Sequence, residues 1–203
     1  MPNKRVEYIQ STLNTLGDPV ANALVEPITG LQIKGDGLVL GDYFDMTDSE
    51  ALSYSTASTL YGGRYQRILL DSGANLSNVS YGKWAYYKNN TPVAGSSPYY
   101  TVTDVSNKLA ANLPAGVFLS SLGSNSYFYG FIQTAGKATL QMKASITNGS
   151  PAVGDILILN SDGTTDDPTQ SSISAGLTCG RAFQQPASGA FIQAWITVPF
   201  VAY

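Results

Sequence analysis

Carboxylates are the groups in this chain best placed to do chemistry, because the usual proton carriers are missing. The sequence has no His and a single Cys, Cys179. Ser–His and Cys–His nucleophile pairs, histidine metal ligands and histidine proton shuttles are therefore excluded within one chain. Two carboxylates held about 5–10 Å apart could still hydrolyse a glycosidic bond. All three Glu (Glu7, Glu26, Glu50) fall early, and the remainder of the chain carries only Asp. Asp71-Ser72-Gly73, Gly154-Asp155 and Asp162-Gly163 are turn contexts, where an Asp side chain ordinarily caps its own turn. The expectation is no catalytic residue, and an Asp-based hydrolase is the last of the readings considered.

Three further constellations need weighing. Asp162-Gly163-Thr164-Thr165-Asp166-Asp167 offers the hard oxygens that Ca2+ takes, yet lacks the alternating acidic positions and terminal Glu of a calcium loop. A solvated acidic loop, with no metal and no cofactor, is expected. Cys179 follows Leu177-Thr178 and precedes Gly180-Arg181. A small buried residue is its default role; a reactive thiol would need Arg181 on the same side of a strand. The aromatic cluster Tyr81, Trp84, Tyr86, Tyr87, Tyr99 and Tyr100 suits a subunit interface or stacking on sugar rings. Strand alternation puts Trp84 and Tyr86 on one face and Tyr87 on the other, so core and interface uses both stay open.

The elements that must hold these residues read as β structure. Charged residues make up 12% of the 203 positions, about half the usual ~25%, and thirteen Tyr, seven Phe and two Trp argue against disorder. Residues 1–35 are read as an extended N-terminal arm, with an ordinary N-terminal strand as the equal alternative. Val6, Ile9, Leu13 and Leu16 could make a short stripe at helical spacing, and Val20 and Leu24 lead into an apolar stretch broken by Pro27 and Gly30. From residue 36, strand signals follow one another: 64–70, 83–87, 99–105, 127–132 and 138–146 with a turn at Gly136, and 155–159, read as buried on both faces. Residues 190–198 close the series. There Phe191, Gln193, Trp195 and Thr197 share one face and Ala190, Ile192, Ala194, Ile196 and Val198 the other. Asn107 to Asn112 suggests a short helix, and Pro114-Ala115-Gly116 a link or crossover. The fold class is all-β, a β-sandwich or small β-barrel modules, with a central region 36–125 and a C-terminal module 126–203 that can equally form one domain.

The C-terminal part carries a recognisable pattern: Tyr129-Gly130-Phe131-Ile132-Gln133-Thr134-Ala135-Gly136-Lys137-Ala138, then Pro151-Ala152-Val153-Gly154-Asp155-Ile156-Leu157, then Cys179-Gly180-Arg181-Ala182-Phe183 and Gly189 to Ile196. Gly63 to Leu70 looks like its opening strand. The pattern resembles the β modules of tailed-phage capsid decoration (cement) proteins and related virion structural proteins. That resemblance implies no active-site residues. It implies a non-enzymatic protein on the capsid exterior, made in the host bacterial cytoplasm, with the major capsid protein as partner and a homotrimer as the assembly. The arm (Val6, Ile9, Leu13, Leu16, Val20, Leu24) is the expected docking element and the Tyr81–Tyr100 aromatics the expected subunit contact. A net charge of −3 gives no footprint for nucleic acid, and no apolar run reaches the ~18–20 residues of a membrane span. The alternative is a carbohydrate-binding β module of a fibre or surface protein, suggested by the wealth of Tyr and Trp. If the arm docks, deleting residues 1–35 abolishes co-sedimentation with capsids; unchanged pelleting would refute that role.

Overall fold

A computed structural model of the chain describes residues 41, 43–49, 51, 61–88, 101–105, 114–119, 129–167, 178–184 and 191–198. They form β1 (Tyr43–Met46), β2 (Gly63–Leu70), β3 (Trp84–Tyr87), β4 (Thr101–Thr103), β5 (Pro114–Phe118), β6 (Tyr129–Gln141), β7 (Ile156–Leu159), β8 (Thr165–Asp166), β9 (Thr178–Gln184) and β10 (Phe191–Thr197). The all-β expectation holds. The arm residues 1–35 and the segment 107–112 lie outside the described residues.

The pairing closes twice. β2 lies parallel to β4, with Leu69 opposite Thr101. β4 pairs with β3, β3 with β5 and β5 with β6, all antiparallel. β6 then returns to β2, from Leu69 opposite Tyr129 to Gly63 opposite Gly136. Five strands thus form a ring, and β1 extends it beside the first half of β2. From β6 the sheet runs on through β10, β9, β7 and β8. Met142, just after β6, bridges to Thr165 of β8, and the Lys143 amide donates to the Thr165 carbonyl at 2.8 Å. This second ring therefore also closes on β6. Closure satisfies strand edges that would otherwise invite another chain.

Each ring has its own apolar filling. Ile68 and Leu70 of β2, Ala85 of β3, Val102 of β4, Ala115 and Phe118 of β5 and Ile132 of β6 pack inside the first. The second core gathers Ala138, Leu140 and Met142 with Leu157, Cys179, Ala182, Ile192, Ala194, Ile196 and Val198. Trp84, Tyr86 and Val117 join this second core from the first ring. β3 and β5 consequently bury side chains on both faces, one within their own ring and one against the next. β7 departs from expectation: only Leu157 is fully buried, and Ile156, Ile158 and Leu159 are half-buried.

Two breaks expected in the sequence are not breaks. Pro114-Ala115-Gly116 opens β5 rather than a linker. Proline is tolerated as the first residue of a strand, where its missing N–H costs least. Gly136 lies inside β6, which runs unbroken for 13 residues. It bends the strand instead of reversing it. Its φ is +100, and a Cβ there would stand 2.7 Å from the Gly63 Cα and 2.8 Å from the Gly62 carbonyl oxygen. Around this point β6 exchanges β2 for β10 as its long partner.

Gly136→Ala should therefore lose stability twice, through backbone strain of about 1–3 kcal/mol and through the clash with β2. Gly149 makes a matched control, since its φ is +85 and nothing lies within 4 Å of its Cβ position. Thermal melts should show a clearly larger fall for Gly136→Ala than for Gly149→Ala, at roughly 2–4 °C per kcal/mol. Equal falls would mean that the close approach to β2 costs nothing.

Candidate functional site

Among the described residues, the outer face of β6, β10 and β9 gathers exposed aromatic and basic side chains. β10 alternates as its sequence requires: Ile192, Ala194, Ile196 and Val198 point into the core, leaving Phe191, Gln193, Trp195 and Thr197 outside. Trp195 is 53% exposed, and Phe191 and Phe183 are each 40% exposed. Large apolar groups gathered on one open face ordinarily mark an interaction surface.

Register places a basic residue opposite Trp195 on each neighbouring strand. Trp195 stands opposite Lys137 of β6 on one side and Arg181 of β9 on the other. Phe183 meets Trp195 edge-on, with centroids 5.9 Å apart and planes at 88°. Lys137 Nζ lies 4.3 Å from the Tyr61 ring centroid and 4.6 Å from that of Phe183, contacts worth about 0.5–1 kcal/mol each at an exposed site. Tyr61 is anchored in turn: its hydroxyl accepts from Gln193 Nε2, and its carbonyl accepts from the Tyr65 hydroxyl. At the far end of β10, Tyr81 packs against Phe191 with centroids 5.7 Å apart. β6, β9 and β10 contain no Asp or Glu. The face is aromatic, amide-bearing and cationic on an otherwise acidic chain.

The aromatics expected at a subunit contact divide differently. Tyr81 sits half-buried at the end of this face. Trp84 and Tyr86 are 1% and 0% exposed, which corrects their interface role: the second core fills the space against that side of β3. Trp84 Nε1 donates to Thr165 Oγ1 at 3.0 Å, a tie between the two rings. Burial pushes the Tyr86 hydroxyl up to about 12. Tyr87 faces the first core, and its hydroxyl lies 3.4 Å from Gln66 Oε1 and 3.3 Å from the Tyr43 hydroxyl. Tyr99, Tyr100 and the arm residues Val6, Ile9, Leu13, Leu16, Val20 and Leu24 lie outside the described residues. Sequence reasoning missed Tyr61, Lys137 and Phe183. The available signal was the Phe191/Gln193/Trp195/Thr197 alternation, whose outward direction the sequence leaves undecided.

Among the described residues, the acidic run 162–167 and Cys179 make contacts within the fold. Asp162 accepts from the Thr164 amide and hydroxyl and from Asn160 Nδ2, so the Asn160–Gly163 segment is a capped turn. Thr165 and Asp166 form β8 rather than a loop. Among the described residues no three His, Cys, Asp or Glu side chains gather to hold a metal. A register shift between β7 and β9 leaves Cys179 buried while Arg181 is exposed, so the two do not share a side. Burial raises the Cys179 thiol to about 12, and its Sγ lies 3.3 Å from the Leu157 carbonyl oxygen. Asp166 and Asp167, adjacent in sequence, shift in opposite directions. At Asp166 burial favours the neutral acid, but the Thr147 hydroxyl and amide and Lys143 outweigh it and lower the pKa. At Asp167 burial, then the charges of Asp155 and Asp166, raise it, and Oδ2 has no hydrogen-bond partner among the described residues.

No known family pattern matches the chain, and neither does any curated protein. Among solved structures it is similar to the N base of head fiber gp8.5 in bacteriophage phi29, with a TM-score of 0.41 and 14% identity. The match covers 68% of this chain and 98% of that one. A likeness at that score carries no functional weight.

Two outcomes follow from this chemistry. The Cys179 thiol should resist alkylation at about pH 8 in the native state and react fully once urea unfolds the chain, since attack requires the thiolate. Asp167→Asn should raise the urea midpoint at about pH 7 and leave it unchanged near pH 3. A raised folded pKa means the acid's contribution is fully present below its unfolded value of ~3.9 and lost as pH rises through the folded one. Asp166→Asn should do the reverse, lowering stability at about pH 7.

Proposed function

We propose that this chain is a non-enzymatic structural protein of a phage virion that binds the outside of the head and stabilises the capsid lattice. The observation that carries the reading is the open aromatic face of β6, β10 and β9, with Trp195 at its centre. Trp, Tyr and Arg dominate the few residues that supply most binding energy in protein interfaces, and here they stand on a sheet already braced by two closed rings. A surface positioned before binding loses little conformational freedom on docking. The resemblance in residues 129–196 to decoration modules points to the same role. So does the low charge, because each charge buried without a partner at a joint is expensive.

The mechanism is mass action. A protein that binds assembled lattice and not free coat subunits shifts the equilibrium toward the intact shell. The face, rather than the buried Trp84 and Tyr86, is the aromatic surface offered to the capsid, and Tyr81 stays at its edge. Assembly as a homotrimer and docking by the arm belong to this reading. A second reading, saccharide binding, draws on the exposed Trp195 indole beside Gln193 and Thr197.

Trp195→Ala should leave the melting temperature nearly unchanged, since exposed substitutions usually stay within about 0.5 kcal/mol. It should weaken co-sedimentation with capsids by about tenfold or more, the loss of one strong anchor. Parent-like pelleting by Trp195→Ala would remove the face from capsid docking. Binding of a neutral glycan at millimolar concentration, lost in the same variant, would favour the saccharide reading.

A further inference from the structure

The chemistry of the partner can be read from the charges on the same face. We propose that the face takes an acidic, extended protein segment, whose carboxylates sit on Lys137 and Arg181 on either side of the Trp195 indole. The inference rests on the docking reading for the identity of the partner, but its chemistry stands on geometry alone.

Lys137, Trp195 and Arg181 lie in one row across three neighbouring strands. Adjacent strands are about 4.8 Å apart, so the row sets a basic residue on each strand flanking Trp195. The described ion pairs engage Arg64 with Asp45, Lys88 with Asp71 and Lys143 with Asp166. None involves Lys137 or Arg181. Both cations are positioned nonetheless. Lys137 is held between the Tyr61 and Phe183 rings, and Arg181 Nη1 donates to the Gly154 carbonyl at 3.1 Å. Two placed cations, no acid in the three strands and a formal charge of −3 on the whole chain make this a local reversal of sign. Charge-assisted hydrogen bonds to carboxylate are roughly twice as strong as neutral ones.

Other occupants fit less well. A second copy docked about a two-fold axis would set this cationic face against its own image, and like charges in contact are disfavoured. A neutral sugar would leave both cations without a counterpart. A peptide explains the far end of the face too. Phe191 lies four residues from Trp195, about 13 Å along β10, and with Tyr81 it forms a separate apolar anchor. An extended segment of about four residues spans both anchors while placing carboxylates beside the indole.

The chain has two tryptophans. Trp84 is 1% exposed and Trp195 is 53% exposed, so a fluorescence response to an added polymer reports on this face. The full chain would be titrated with poly-L-glutamate, polygalacturonate and dextran. Poly-L-glutamate should change Trp195 emission, with an affinity that falls as salt is added. Lys137→Gln/Arg181→Gln keeps the reporter and should weaken that response by about tenfold or more, with an unchanged melt showing that the fold survives. No response to poly-L-glutamate, or an undiminished response in the double variant, would overturn the proposal. A response to polygalacturonate without one to poly-L-glutamate would also overturn it, in favour of an acidic saccharide. Self-association in light scattering that Trp195→Ala abolishes would do so in favour of a second copy. Co-sedimentation separates the two levels. A double variant that pellets with capsids like the parent refutes the acidic partner and leaves capsid docking standing. A parent chain that ignores capsids refutes the docking, while the polymer titration still decides the chemistry of the face.

Discussion

One strand must hydrogen-bond its way around two rings, and the rest of the structure follows from that demand on β6. Its first part closes the ring with β2 and β5, and its second carries β10. Met142 and Lys143, immediately after it, complete the closure to β8. A flat strand cannot serve both. The bend at Gly136, where the backbone of β2 leaves no room for a side chain, lets one strand leave the first ring and enter the second. Two bulges accompany it: Thr134 of β6 is the extra residue opposite Arg64 and Tyr65, and Ala115 of β5 the extra residue opposite Ala85 and Tyr86. Such bulges are common where barrels turn their corners.

Sharing a strand also makes the two cores neighbours. β3 contributes Ala85 to one and Trp84 and Tyr86 to the other. The largest buried side chain, Trp84, is thereby committed to joining the rings, with its indole N–H satisfied by Thr165. A buried indole needs such a partner, because an unmet donor away from water is costly. This explains why Trp84 and Tyr86 are structural. A face that packs against another core is not available to another molecule.

The face left open is the one the second ring turns outward. β10 lies between β6 and β9, so its outward residues sit at the middle of a three-stranded surface rather than at an edge. That position puts Lys137 and Arg181 on the strands either side of Trp195, and Phe183 against its edge. The same register that buries Ile192, Ala194 and Ile196 assembles the exposed row. Stability and recognition are thus two faces of one strand, separated by the period-two alternation of side chains.

Much of the fold was legible in the chain itself. The absence of His, the paucity of charge and the Tyr, Thr and Val-rich runs determine a β protein without histidine chemistry. The turn at Asn160–Gly163 and the alternation of residues 191–198 were also readable, because both are local. What the sequence could not decide is which partner each strand meets. Gly136 looked like a turn and Pro114-Ala115-Gly116 like a link, since a glycine inside a shared strand and a proline at a strand's start carry the same local signal as punctuation. Nor could alternation say which face is outward when both carry apolar residues. Trp84 and Trp195 are equally plausible anchors in one dimension. Only the closure of two rings on β6, which covers one tryptophan and leaves the other between Lys137 and Arg181, tells them apart.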